Sequence, residues 1–112
     1  MNYGDYLDLD TVLNSQNTIT SDRNELMFIV AHQASELWFK VLIRELSMAT
    51  NPDLKRIVRI FDHLNTLWDI IATLTPKDYE RFRSTLGSAS GKQSAQYIEV
   101  KKLLEDLPSK CC

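Results

Sequence analysis

The residues best placed to do chemistry begin with a single imidazole. In the stretch from Phe28 to Lys40, F-I-V-A-H-Q-A-S-E-L-W-F-K, a helical turn of about 100° per residue puts Phe28, His32, Ser35, Phe39, Leu42 and Leu46 on one stripe. His32 then sits in the middle of an apolar face. It is either a satisfied core residue or a group aimed into a pocket as acid, base or hydrogen-bond acceptor. Arg83 is the second candidate. It follows Tyr79 by one turn, on the side of Phe82 and Leu86, so that it either snorkels to water or clamps a carboxylate bidentately. The third is the small-residue loop over 87–94, G-S-A-S-G-K-Q-S, whose free amides at a helix start could meet a propionate or phosphate. It has neither Walker spacing nor G-x-G-x-x-G. Trp68 reads as core or as a cofactor contact, and His63, beside Arg56, Arg59 and Asp62, reads as surface. Cys111 and Cys112 have no second Cys or His pair to complete a metal site and read as a frayed terminus.

Helices must position these groups. Residues 1–20 form an arm in which Tyr3, Tyr6 and Leu7 cluster near Gly4, and Leu9, Val12 and Leu13 make one face of a short helix. The arm docks either on its own domain or on a neighbouring subunit, where it would lend tyrosines to that pocket. A long helix is expected from Ser21 or Asp22 to about Ala49, started by a reciprocal Asp22/Glu25 cap and stopped by Asn51-Pro52. A second runs from about Pro52 to Leu74, with Leu54, Ile57, Val58, Phe61, Leu64, Trp68 and Ala72 as its apolar stripe. Thr75-Pro76-Lys77-Asp78 starts a third, short helix ending at Gly87. A fourth, with Ser90 and Gln93 at capping-box spacing, runs from Gln93 to about Leu107 and is ended by Pro108. No strand alternation, linker or repeat is present in the pattern. The expected architecture is one all-α domain over 1–112: arm 1–20, helical core 21–107, frayed tail 108–112.

Composition narrows the classes. With 44% hydrophobic and 25% charged residues the chain is of ordinary globular make-up, though small enough that burial against a partner subunit is expected to matter. A net charge of -2 and the lack of clustered Lys and Arg argue against nucleic-acid binding. No signal peptide is expected, nor any apolar run near the roughly 18 residues of a membrane span, so the expected location is the cytoplasm.

Four motifs in order are more specific than this physics. They are Y-G-D-Y-L-x-L-D (Tyr3 to Asp10), F-I-V-x-H-Q-x-S-E-L-W-x-K (Phe28 to Lys40), L-T-P-x-D-Y-x-x-F-R (Leu74 to Arg83) and S-x-S-G-x-Q-S-x-Q-Y (Ser88 to Tyr97). Together they resemble the N-terminal half of the tryptophan 2,3-dioxygenase family, over about residues 3–98. The resemblance implies an all-α, homotetrameric oxidoreductase dependent on haem (heme). Its members open the indole ring of L-tryptophan with O₂ to give N-formylkynurenine, on the kynurenine route. It further implies that His32 is the distal histidine near the indole N–H and that Phe28 packs beside it. Arg83 binds the substrate carboxylate, with Tyr79 lining the same site. Tyr3, Tyr6 and Leu7 complete a neighbouring subunit's pocket, Trp68 lies at the haem edge, and Ser90 and Gly91 belong to a loop touching the haem.

The chain also departs from the family pattern. The hairpin around Thr50 to Pro52 is shorter than in typical members, and Lys92 stands where a Phe is usual after the Ser-Gly pair. The C-terminal half, which carries the proximal histidine and a Gly/Thr-rich loop over the substrate, has no counterpart here. No metal ligand is therefore expected within these residues, and stable haem binding by this chain alone is not expected. Two functions follow: a truncated dioxygenase whose iron ligand comes from a second half, or a non-catalytic helical domain that self-associates or binds a partner.

Overall fold

A computed structural model describes residues 1–48, 51–83, 86 and 94–107. The described residues form six helices and no strand: α1 (Tyr3–Leu7), α2 (Leu9–Leu13), α3 (Arg23–Leu46), α4 (Leu54–Ile71), α5 (Pro76–Arg83) and α6 (Ala95–Glu105). The fold is all-α, as the sequence pattern predicts. The arm is two single-turn helices rather than one. Asp8 adopts a left-handed conformation (φ 53°, ψ 46°) that breaks the run between Leu7 and Leu9, and its carboxylate accepts from Thr11 Oγ1 at 2.9 Å.

Side-chain caps set where α3, α4, α5 and α6 start. Asp22 accepts from the Asn24 amide at 2.8 Å and opens α3. The other half of the expected reciprocal cap is rearranged. Glu25 bypasses the Asp22 amide and accepts from the Ile19 amide (2.9 Å), the Thr20 amide (2.7 Å) and the Thr20 hydroxyl (2.7 Å). The chain turns sharply at 19–22, so those donors, and not the Asp22 amide, lie within reach of the first turn. Glu25 is only 1% exposed, and this knot ties the end of the arm to the core helix. At α4 the cap is Asp53, which accepts from the Arg56 amide at 3.0 Å, while Pro52 lies buried just before it and not in the first turn. Thr75 and Asp78 form a full capping box on α5: the Thr75 amide donates to Asp78 at 3.0 Å and the Asp78 amide to the Thr75 hydroxyl at 3.1 Å. Ser94 caps α6 by accepting from the Tyr97 amide at 3.0 Å. The expected start at Ser90 and Gln93 lies outside the described residues. The long helices end short of expectation, α3 at Leu46 and α4 at Ile71. After α4, the Thr73 hydroxyl donates to the Ile70 carbonyl and competes with a further helical bond.

The Ile19 amide, followed by the Thr20 hydroxyl and amide, holds the Glu25 carboxyl below its ordinary value of 4.5. The Thr75 amide and hydroxyl do the same for Asp78. A depressed carboxyl contributes stability that is fully present above the unfolded value and is lost as pH falls through the folded one. Thermal midpoints measured from about pH 7 down to about pH 3 should therefore fall with acid in the native chain. Glu25→Gln should start lower and show a flatter acid limb. Equal acid slopes in the two proteins would mean that this knot does not titrate with folding.

The core lies where α3, α4 and α6 meet: Leu42 and Leu46 from α3, Ile57, Ile60 and Leu64 from α4, and Val100 from α6 are buried. On α4 this corrects the expected stripe. Ile60 belongs to the core and Leu67 packs against it, whereas Val58 is 58% exposed. Helix α4 has one broad apolar face; Ile60 lies well within it and Val58 at its margin, so the expected stripe is displaced toward one edge of that face. Helix α3 is the hub, packing against α4, α5 and α6. By length and composition it is also apolar enough to cross a membrane, as core helices can be.

Candidate functional site

A cleft of about 760 Å³ opens between α3, α4 and α6. Its walls are mostly apolar and aromatic (Phe39, Phe61, Leu64, Trp68, Tyr97, Ile98), and its polar groups are few, with His32, Ser35 and Glu36 on α3 among them. That size and make-up suit a small-molecule or cofactor site.

His32 is half-buried on the cleft wall, and its Nδ1 lies 2.7 Å from the Phe28 carbonyl one turn back. A carbonyl only accepts, so Nδ1 carries the hydrogen. In the neutral ring the lone pair is then on Nε2, which makes no other hydrogen bond within the described residues. Aromatic rings hold the imidazole on two sides. Phe28 lies against it at a centroid distance of 4.2 Å, and Trp68 meets it edge-to-face at 5.3 Å and 83°. The chain of rings continues from Phe28 to Tyr79 (5.9 Å) and Phe82 (5.3 Å), which pack edge-on at 5.5 Å. Phe82 is fully buried and pins α5 to α3, which brings Tyr79 toward His32. The structure thus gathers Phe28, His32, Trp68 and Tyr79.

Arg83, the last residue of α5, is exposed and makes no ion pair within the described residues. Its neighbour Arg81 lies 3.8 Å from Asp22 and 3.9 Å from Asp78. Tyr3 and Tyr6 are each 74% exposed and Leu7 41%, and none of them lines this chain's own cleft. Ser90, Gly91 and Lys92 lie outside the described residues. His63 is exposed, as expected, and sits edge-on to Trp38 at 5.4 Å in a separate depression of about 330 Å³ with Arg56 and Arg59.

One feature of the cleft had no role in the sequence reading. Glu36, one turn after His32, accepts from the Ser94 hydroxyl and from Gln96 Nε2 (2.8 Å), while Gln96 also donates to the Glu36 carbonyl (2.9 Å). This clasp fastens the start of α6 to α3 and sets the far wall, where Tyr97 stacks on Phe39 at 5.9 Å. Its members lie in the quoted motifs, but their pairing spans about 60 residues of sequence and no local periodicity reports it.

The donor set decides what the cleft can hold. A planar apolar macrocycle suits the aromatic walls, and Lys101 at the rim, 5.9 Å above the Tyr97 ring, offers a cation to a carboxylate edge. Among the described residues no cluster of three His, Cys, Asp or Glu could hold a bare metal ion. Only one imidazole faces the cleft. Among the described residues its second nitrogen makes no hydrogen bond, so the residues would fit haem on one side, with His32 the single imidazole available to the iron or to a ligand beside it.

Fold and site together define an all-α domain built around an aromatic-walled cleft with one oriented imidazole. The sequence model of the tryptophan 2,3-dioxygenase family matches residues 1–111, and the chain belongs to that family. It is 44% identical to the tryptophan 2,3-dioxygenase of Bradyrhizobium diazoefficiens over 93% of this chain and 41% of that protein. Against the Pseudomonas aeruginosa enzyme the identity is 45%, over 93% of this chain and 40% of the relative. The chain thus spans about two-fifths of the length of these relatives, over their N-terminal part.

Proposed function

We propose that this chain supplies the substrate-side half of a haem-dependent tryptophan 2,3-dioxygenase acting in the cytoplasm on L-tryptophan and O₂. Haem, when bound, would supply the activation of O₂ for cleavage of the indole C2–C3 bond. The chain's own residues would bind and orient the amino acid. His32 Nε2 accepts the indole N–H, a role supported by the 2.7 Å bond that keeps the hydrogen on Nδ1. Phe28 and Trp68 flank the imidazole and hold its plane. The uncommitted guanidinium of Arg83 receives the carboxylate, with Tyr79 beside it. Trp68 would lie at the haem edge, and the loop of Ser90 and Gly91, outside the described residues, would help hold the haem. The exposed Tyr3, Tyr6 and Leu7 arm closes the cleft of a second copy in a homo-oligomer, where its apolar surface would be covered.

In this reading the iron's proximal ligand comes from a second half, because His32 is used on the substrate side and His63 sits in another depression. The oriented His32 carries the proposal. The test is to mix the purified chain with haem and the separately expressed C-terminal portion of the Bradyrhizobium diazoefficiens enzyme, then assay N-formylkynurenine. Turnover that needs both polypeptides supports the reading, and none under any mixing condition removes it.

A second reading, a non-catalytic domain that self-associates, draws on two observations. The radius of gyration is 16.7 Å, against about 13 Å for a compact chain of this length, and Leu26, Val30, Leu37 and Val41 leave an apolar stripe of α3 exposed.

A further inference from the structure

We propose that in residues 1–112 by themselves His32 Nε2 is the axial ligand of ferric haem, so that the residue assigned to the substrate side becomes the iron ligand until the C-terminal part of the fold provides one. The inference rests on reading the cleft as a haem cleft, but not on any catalytic activity, and it reverses the expectation that residues 1–112 alone hold no haem, because the orientation of His32 leaves Nε2 open to the cleft.

Three observations carry it. First, a histidine that binds a metal through one ring nitrogen almost always donates its other N–H to a carbonyl or carboxylate, which fixes the tautomer and raises the basicity of the ligating nitrogen. His32 already has this arrangement, with Nδ1 held 2.7 Å from the Phe28 carbonyl. Second, Phe28 and Trp68 lock the plane of the ring while it faces the cleft. Little rotamer freedom remains to be lost on coordination. Third, the other donors along the cleft are poor competitors. Both oxygens of Glu36 accept hydrogen bonds from Ser94 and Gln96, and Lys101 carries an ammonium with no lone pair. Among the described residues the Tyr97 phenol is the remaining rival, since tyrosinate can hold ferric haem, but its ring is stacked on Phe39. Axial ligation by imidazole needs no oxidant or reductant. Nε2 gives its lone pair to the iron and the proton on Nδ1 stays in place.

The experiment titrates ferric protoporphyrin IX into the purified 112-residue chain and into His32→Ala, His63→Ala and Tyr97→Phe, reading the Soret band and electron paramagnetic resonance. The expected result is one haem per chain with a histidine-ligated signature in the native chain, in His63→Ala and in Tyr97→Phe. In His32→Ala that signature should vanish, with affinity about tenfold or more lower, and added imidazole should restore it. Resonance Raman of the reduced native complex keeps the test independent of any variant's folding: an iron–nitrogen stretch should shift when the histidines carry ¹⁵N. An unchanged spectrum in His32→Ala, or no stoichiometric band in the native chain, overturns the inference. Adding the relative's C-terminal portion separates the two proposals. Reconstituted turnover without His32 ligation beforehand would sink only this one, and His32 ligation without reconstituted turnover would sink only the dioxygenase reading.

Discussion

Replacing Arg83 by alanine is expected to lower the affinity of the reconstituted protein for L-tryptophan by about tenfold to a hundredfold, at roughly 1.5–3 kcal/mol for a hydrogen bond to a charged group, and to leave indole binding unchanged. Arg83 ends α5, where a cation is favoured by the helix dipole and its own backbone demands nothing of the side chain. Its neighbour Arg81 is already engaged with Asp22 and Asp78, whereas Arg83, like Lys77, makes no ion pair among the described residues. An α-carboxylate would find in it a planar fork that a lysine cannot reproduce. Arg83→Lys should therefore recover only part of the loss. Calorimetric titration with L-tryptophan and with indole separates the carboxylate contribution from that of the ring. Equal losses for both ligands would mean that Arg83 acts by holding α5 in place, and an unchanged tryptophan affinity would end the clamp assignment.

Local chemistry was legible in the sequence, and tertiary choice was not. The orientation of His32 depends on its own helix: Phe28 lies four residues back, so the carbonyl and ring that hold the imidazole follow from helical spacing alone. The Thr75/Asp78 box is local in the same way and formed as expected. On helix α4 the apolar face is broad, and Val58 stands at its margin while Ile60 lies within it; which part of so wide a face is buried depends on where α3 and α6 lie. The Glu36–Ser94–Gln96 clasp joins positions about 60 apart, and a Ser or Gln near a helix start reads first as a cap. Ser94 is in fact both a cap and a partner of Glu36. The arm shows another limit. Its Tyr and Leu pattern states that a surface must be covered, but hydrophobic spacing has no term that separates the chain's own core from that of a neighbour.

The largest expected effect on stability is that of Phe82→Ala. Phe82 is fully buried and touches both Phe28 and Tyr79, so truncation empties the joint between α5 and α3. Removing a buried phenyl ring costs about 3–5 kcal/mol, a large share of the roughly 5–15 kcal/mol that stabilises a native domain. A chain with so much apolar surface exposed has little margin, and the denaturant midpoint should fall steeply. Phe82→Leu, which keeps much of the volume, should lose considerably less. The same ring also positions the site, since the capping box only starts α5, whereas Phe82 fixes it against the helix that carries His32. Loss of tryptophan affinity in Phe82→Leu under conditions where that variant is fully folded would then report on the placement of Tyr79 and Arg83 rather than on unfolding. A denaturant midpoint unaffected by Phe82→Ala would mean that α5 is not docked on α3 in solution, and the proposed approach of Arg83, which does not itself line the cleft, to the substrate would go with it.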